Sequence, residues 1–189
     1  MPKQHRPRYG SLQFWPRKRI KKALPSVNWS PVSNKINPAT EGLLGFIAYK
    51  VGMATAIVKD NTDKSMTKGK KITIPVTILE VPNLKLFSVR FYKKGKVKTE
   101  FIVTDKKDKE LIRKVKIPKE SKKLENVEGF DDIRVIVYSV VKQTGIKKTP
   151  DIIELAIKAA DKLAFVKNLI SKEISLQDLL KWDLVDVRG

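Results

Sequence analysis

The chain has 189 residues and a mass of 21.5 kDa, with 41% apolar and 32% charged side chains, enough apolar material for one domain core and too much for a wholly disordered polyelectrolyte. Its 40 Lys and Arg outnumber 20 Asp and Glu, giving a net charge of +20 and a pI near 10.0, and such a field draws polyanions by counterion release whatever their sequence. Nucleic acid is therefore the expected partner, ahead of an anionic membrane surface or an acidic protein, and the absence of Cys excludes disulfides and thiolate metal sites.

The opening Met1-Pro2-Lys3-Gln4-His5-Arg6 leads into no signal-peptide core, and no apolar run approaches the ~18 residues of a membrane span, so no membrane partner is expected and the cytoplasm is the expected compartment. Residues 1–42 read as an extended basic arm. The first forty residues carry no acid but include Lys3, Arg6, Arg8, Arg17, Lys18, Arg19, Lys21, Lys22 and Lys35. Pro2, Pro7, Pro16, Pro25, Pro31 and Pro38 fall in the same stretch, which predicts no continuous helix there and an extended, self-repelling strand. Tyr9, Phe14, Trp15 and Trp29 are interleaved with the charge. Stacking on bases or packing under RNA would use such rings, while the alternative is a tail whose Trp residues tuck back on the domain.

Residues 43–189 read as the globular part. Leu44 to Val58 predicts a β segment with a bulge or bend at Gly52, and a polar loop over 60–71 leads to a strand in which Ile72, Ile74, Val76 and Ile78 alternate, with Pro75 marking an edge. Pro82-Asn83 predicts a turn into a second run, Leu84 to Tyr92, the two forming a hairpin, and a third strand is expected at Val97 to Val103. A short, exposed helix is expected between Asp105 and Val115, on the stripe Leu111, Ile112, Val115. Ile133 to Val141 is apolar on both faces, as a central strand would be, and Ile153, Leu155 and Ile157 alternate as a further strand. Helical spacing over Leu163 to Ile170 and a capping-box pattern at Ser175-Leu176-Gln177-Asp178 predict two short helices, and Leu184 to Gly189 begins as a strand.

The single histidine is His5, so Ser–His, Cys–His and His-rich metal constellations cannot be assembled, and no cofactor, metal or small-molecule substrate is expected. Asp131-Asp132 is a carboxylate pair, but neighbours in a strand point to opposite faces. Thr67-Lys68-Gly69-Lys70-Lys71 lacks the spaced glycines of a phosphate loop and reads as a basic loop.

Several segments carry a resemblance in the right order: Arg6-Pro-Arg-Tyr-Gly-Ser-Leu-Gln-Phe-Trp-Pro-Arg-Lys-Arg19, Gly45-Phe-Ile-Ala-Tyr-Lys-Val-Gly-Met53, Ile74-Pro-Val-Thr-Ile-Leu-Glu80, Asp132-Ile-Arg-Val135 and Lys148-Thr-Pro-Asp-Ile-Ile-Glu154. Together they resemble archaeal and eukaryotic members of the universal large-subunit ribosomal protein L-three family. The family usually follows the methionine with Thr-His, where this chain has Ala54-Thr55. The resemblance implies a mainly β fold: a translation-protein-type β-barrel with an extended basic N-terminal arm and a charged α/β insertion, here at about residues 93–175. It implies a structural, non-enzymatic role on large-subunit ribosomal RNA near the peptidyl transferase centre, among neighbouring large-subunit ribosomal proteins, with a part in subunit assembly. Family members continue beyond a segment like Val185-Asp-Val-Arg-Gly189, so a fragment with an incomplete barrel is expected, prone to aggregation or dependent on RNA.

On this reading Arg6, Arg8, Arg17, Lys18, Arg19, Lys21 and Lys22 neutralise phosphates, Phe14 and Trp15 contact sugars or bases, and Lys50 joins them from the first strand. The alternatives are a general nucleic-acid-binding, DNA-compacting protein, which would show no preference for folded RNA over duplex DNA, and an RNA-modifying enzyme, which would need a concave site of convergent polar groups.

Overall fold

The computed structural model describes residues 22–35, 41–104, 108–118, 127–170, 172–179 and 184–189. Residues 28–184 form one compact unit; residues 1–27 and 185–189 form another, in which the described residues hold no helix or strand. The structure is mainly β, with a few short helices.

The larger unit holds a five-stranded antiparallel sheet in the order β1-β7-β6-β4-β5, built from β1 (Gly42–Leu43), β4 (Leu84–Lys93), β5 (Lys96–Ile102), β6 (Asp132–Ser139) and β7 (Ile152–Lys158). Cross-strand register puts Phe101, Val89, Val135 and Leu155 in one row, and Phe91 beside Ile133 in the next row on that face. All six are 6% exposed or less, and Phe91 meets Phe101 and Phe130 edge-on at 5.7 and 5.2 Å. Burial of this row is the main apolar driving force for the sheet. β4 and β5 are joined by Lys94-Gly95, whose φ values of 48° and 74° give the left-handed turn that a tight hairpin needs. The opposite face is apolar at one end, where Phe87, Ile136 and Tyr138 pack on Leu111.

A separate two-stranded ribbon is formed by β2 (Tyr49–Lys59) and β3 (Lys71–Glu80). The bend expected at Gly52 is present as a register shift between Lys50 and Gly52. Pro75 sits on a strand whose only partner among the described residues is β2, in keeping with an edge. The hairpin expected between 72–79 and 84–92 does not form. After Pro82-Asn83 the chain leaves the ribbon: Leu84 exchanges both backbone hydrogen bonds with Ile174, at 2.9 and 2.8 Å, and β4 pairs with β5 and β6. β4 is apolar along one face and at one end of the other, and it is buried by entering the sheet, whereas β3 is exposed along nearly its whole length.

Four further expectations are corrected. Residues Trp29–Lys35 form a helix, α1, inside the proline-rich stretch, since Pro31 falls in the first turn, where no N–H is needed. Trp29 is 6% exposed and its indole N–H donates to the Glu154 carbonyl at 3.0 Å, so it packs on the sheet unit and is not free to stack on bases. The close approach requires Gly45, where a Cβ would lie 2.9 Å from the Trp29 ring and 3.0 Å from Leu155. The helix α2 (Lys109–Ile112), capped by Asp108, is not simply exposed: Leu111 is wholly buried while Ile112 stays 53% exposed. Residues 184–189 form no strand, with Leu184 91% and Val187 72% exposed, because a β run needs a neighbouring strand for its hydrogen bonds and none pairs with it among the described residues.

The remaining expected elements are present as β5, β6, β7, α4 (Lys162–Leu169) and α5 (Leu176–Leu179). Asp161 caps α4 by accepting from the Leu163 and Ala164 amides, and the Asp178 carboxylate accepts from the Ser175 amide at 3.0 Å, the reciprocal half of a capping box. Between β6 and β7 lies one turn of helix, α3 (Val141–Thr144), ended by Gly145 at φ 66°.

Candidate nucleic-acid interface

Arg6, Arg8, Phe14, Trp15, Arg17, Lys18, Arg19 and Lys21 lie outside the described residues. Lys22 is exposed in the arm segment, and Lys50 is exposed near the start of β2.

The ribbon's two faces follow from its register. Ala54, Ala56 and Val58 face Val76, Ile74 and Ile72, with Ile78 opposite Gly52, so one side is almost wholly apolar; Met53, Thr55 and Ile57 alternate with Thr77, Pro75 and Thr73 on the other. Ile74, Val76 and Ile78 are 36–48% exposed, apolar surface that a monomer in water has no reason to keep on display.

The ribbon ends in a cationic tip. Lys59, Lys64, Lys68, Lys70 and Lys71 are exposed there against Asp60 and Asp63. Sequence reasoning reads Lys68, Lys70 and Lys71 as part of a basic loop but assigns none of the tip lysines to RNA, although their clustering between two strands is a readable signal. Asp60 organises the loop: its carboxylate accepts from the Thr67 hydroxyl at 2.5 Å and the Thr62 amide at 2.9 Å, and its backbone bonds with Gly69 and Lys70. Hydrogen bonds from Thr67, Ser65 and Thr62 hold the Asp60 carboxyl well below the usual carboxylate range. A carboxylate thus fills the inside of the loop where a phosphate loop would seat its anion, and the lysines offer charge outward. Lys68 pairs with Asp63 at 2.7 Å, an exposed contact that contributes little.

At its base the ribbon is latched to the sheet. The Tyr49 hydroxyl donates to Asp151 Oδ2 at 2.7 Å and lies 3.0 Å from Ser139 Oγ, which also accepts from the Asp151 amide. Burial, with the neighbouring Asp151 carboxylate, pushes the Tyr49 phenol up to about 12. Burial also acts to raise Asp151, but hydrogen bonds from Lys147 and Tyr49 prevail and hold it below its ordinary value.

Not every cation on the sheet is available to a ligand. Arg90 bridges Glu100 at 2.9 Å and Glu154 at 2.8 Å, Arg134 bridges Glu154 at 3.0 Å and Asp132 at 3.2 Å, and Arg134 stacks 4.3 Å from the Tyr92 ring centre. Burial opposes ionisation of Glu154, and hydrogen bonds from Tyr92, Arg90 and Arg134 overcome it, lowering its pKa. The Asp131-Asp132 pair is divided: Asp131 accepts from the Lys94 amide at 2.6 Å, while Asp132 binds Arg134 and Lys162. These carboxylates fasten strands and turns together. Among the described residues no group of three or more His, Asp or Glu side chains could hold a metal ion, and no helix is long and apolar enough to cross a membrane.

A family model described as Ribosomal protein L3 matches residues 1–124. The large ribosomal subunit protein uL3 of Methanococcus vannielii is 37% identical over 194 residues, covering 95% of this chain and 56% of that protein. Its counterparts in Methanosphaera stadtmanae and Methanocaldococcus jannaschii are 36% and 34% identical, covering 96% and 98% of this chain and 57% and 58% of their own lengths. The chain thus spans little more than half the length of these relatives.

Proposed function

Because the chain belongs to the ribosomal protein L3 family, we propose that it is a structural, non-catalytic constituent of the large ribosomal subunit, bound to ribosomal RNA near the peptidyl transferase centre and supporting subunit assembly. The observation that carries this reading is the family match over residues 1–124, a span that contains the basic arm and the β2–β3 ribbon. Arm residues Arg6, Arg8, Arg17, Lys18, Arg19, Lys21 and Lys22 neutralise phosphates, Phe14 and Trp15 contact sugars or bases, and Lys50 adds an RNA contact from β2. The ribbon supplies strands of a barrel of the translation-protein type, and its apolar side is a wall of that barrel. Residues 1–42 act as the arm, residues 43–189 as the barrel part with an α/β insertion at about 93–175. Neighbouring ribosomal proteins and a ribosome-associated, cytoplasmic location follow from the same reading.

The test is mass spectrometry of large subunits from the source cells after a high-salt wash. Retained peptides of this chain are expected, and their absence overturns the reading. With six to ten phosphates engaged, affinity for a large-subunit RNA fragment falls roughly 10³- to 10⁵-fold between 50 and 200 mM salt. A flat salt response, or equal affinity for duplex DNA, favours a general DNA-compacting role instead.

A further inference from the structure

We propose that an open basic cleft on the sheet unit is a second docking site for the RNA sugar–phosphate backbone, acting independently of the arm. The proposal rests on the RNA-binding reading above and adds a surface to it. The cleft has a volume of about 1040 Å³ and lies between the start of β4, the end of β6, α2 and α3. Among the described residues, seven Lys and Arg side chains line it against Asp108 and Glu110.

Partners already in place decide which of these charges are free. Lys147 pairs with the buried Asp151 at 2.7 Å, Lys85 with Glu173 at 3.2 Å, and Arg113 donates to the Lys148 carbonyl at 3.3 Å. Lys109, Lys142, Lys148 and Lys172 are exposed and make no ion pair among the described residues. On the acidic side, Asp108 is occupied at both oxygens, accepting from the Tyr138 hydroxyl at 2.6 Å and from the Glu110 amide at 3.1 Å. Among the described residues, therefore, four free lysines face one uncommitted carboxylate, Glu110.

These four lysines stand on α2, on α3, on the loop after α3 and on the loop after α4, so they approach the cleft from different elements instead of lying along one solvated helix face. Its one aromatic lining residue, Tyr138, is 2% exposed with its hydroxyl committed, so no ring is offered for base stacking and the contact reads charge, not sequence. An acidic peptide fits less well: β4 and β6 each have strand partners on both sides, leaving no free edge in the cleft for an added strand.

The test uses the full 189-residue chain and a large-subunit RNA fragment, comparing the parent, a cleft variant (Lys109→Gln, Lys142→Gln, Lys148→Gln) and an arm variant (Arg17→Gln, Lys18→Gln, Arg19→Gln) across a salt series. Removing three phosphate contacts is expected to flatten the slope of log affinity against log salt by about 2 and to weaken binding on the order of 100-fold at ~0.1 M salt. An unchanged slope in the cleft variant, with the arm variant flattened, overturns the cleft site and leaves the RNA reading standing. Failure of the parent chain to bind RNA overturns both. Displacement of RNA by polyglutamate at equal charge, lost in the cleft variant, makes the site one for an acidic protein and overturns the proposal. Acetylation footprinting of the parent complex needs no variant: RNA is expected to protect Lys142 and Lys148 at least fivefold, and unaltered labelling of both counts against the site.

Discussion

The β2–β3 ribbon and the five-stranded sheet are built from similar aliphatic residues but end in opposite situations. Val89, Phe91, Ile133 and Val135 are wholly buried in the sheet, whereas Val51, Met53 and Ile57 on the ribbon are 64–72% exposed. The difference is one of neighbours. β4 and β6 each pair on both edges and carry packed side chains on both faces, while β2 and β3 pair only with each other among the described residues. An isolated two-stranded ribbon is marginal in water, and here its order is supported at the two ends: by Tyr49, Ser139 and Asp151 at the base, and by Asp60 at the tip. Stability thus resides in the sheet, and exposed apolar surface resides in the ribbon.

The contrast can be broken by substitution, beginning where the effect is largest. Phe91→Ala removes a wholly buried ring in contact with Phe101 and Phe130 and is expected to cost about 3–5 kcal/mol, read as a lower urea midpoint. A loss below ~1 kcal/mol would show that the sheet is not the stable part. Asp151→Ala strips the partner from Tyr49 and Lys147 and is expected to cost about 2 kcal/mol, with faster proteolysis of the ribbon loop as the sign that the latch has opened.

The same carboxylate sets a pH dependence. Its folded pKa is depressed, so its contribution is present above its unfolded value near 3.8 and is lost as pH falls through the folded value. Thermal midpoint should therefore decline below about pH 4, more shallowly in Asp151→Asn than in the parent. The smallest effect belongs to the ribbon face, where Val76→Thr keeps the β-branched shape and is expected to change stability by less than ~0.5 kcal/mol. If the apolar side needs a cover, this change should instead improve solubility on a static light-scattering assay.

Composition and local pattern determined a good deal on their own. The polyanion-seeking charge, the bulge at Gly52, the edge character of Pro75, a central strand beginning near Ile133 and the capping box before α5 are each local consequences of residue type and spacing, and are legible in the chain itself. The family was legible too, because its motifs are continuous stretches of chain. The candidate site was less so: of ten residues read as contacting RNA, only Lys22 and Lys50 are described, and the cleft lysines come from separate elements that no single stretch of chain unites. Tertiary structure alone decided which β runs pair, because 72–79 and 84–92 have similar apolar content and differ in how much of it neighbouring elements can bury. It alone placed Trp29 against Glu154 across 125 positions, and it alone separated committed cations such as Arg90 and Arg134 from the free Lys142 and Lys148. Whether a charge is free depends on partners distant in the sequence, and only folding brings them within reach.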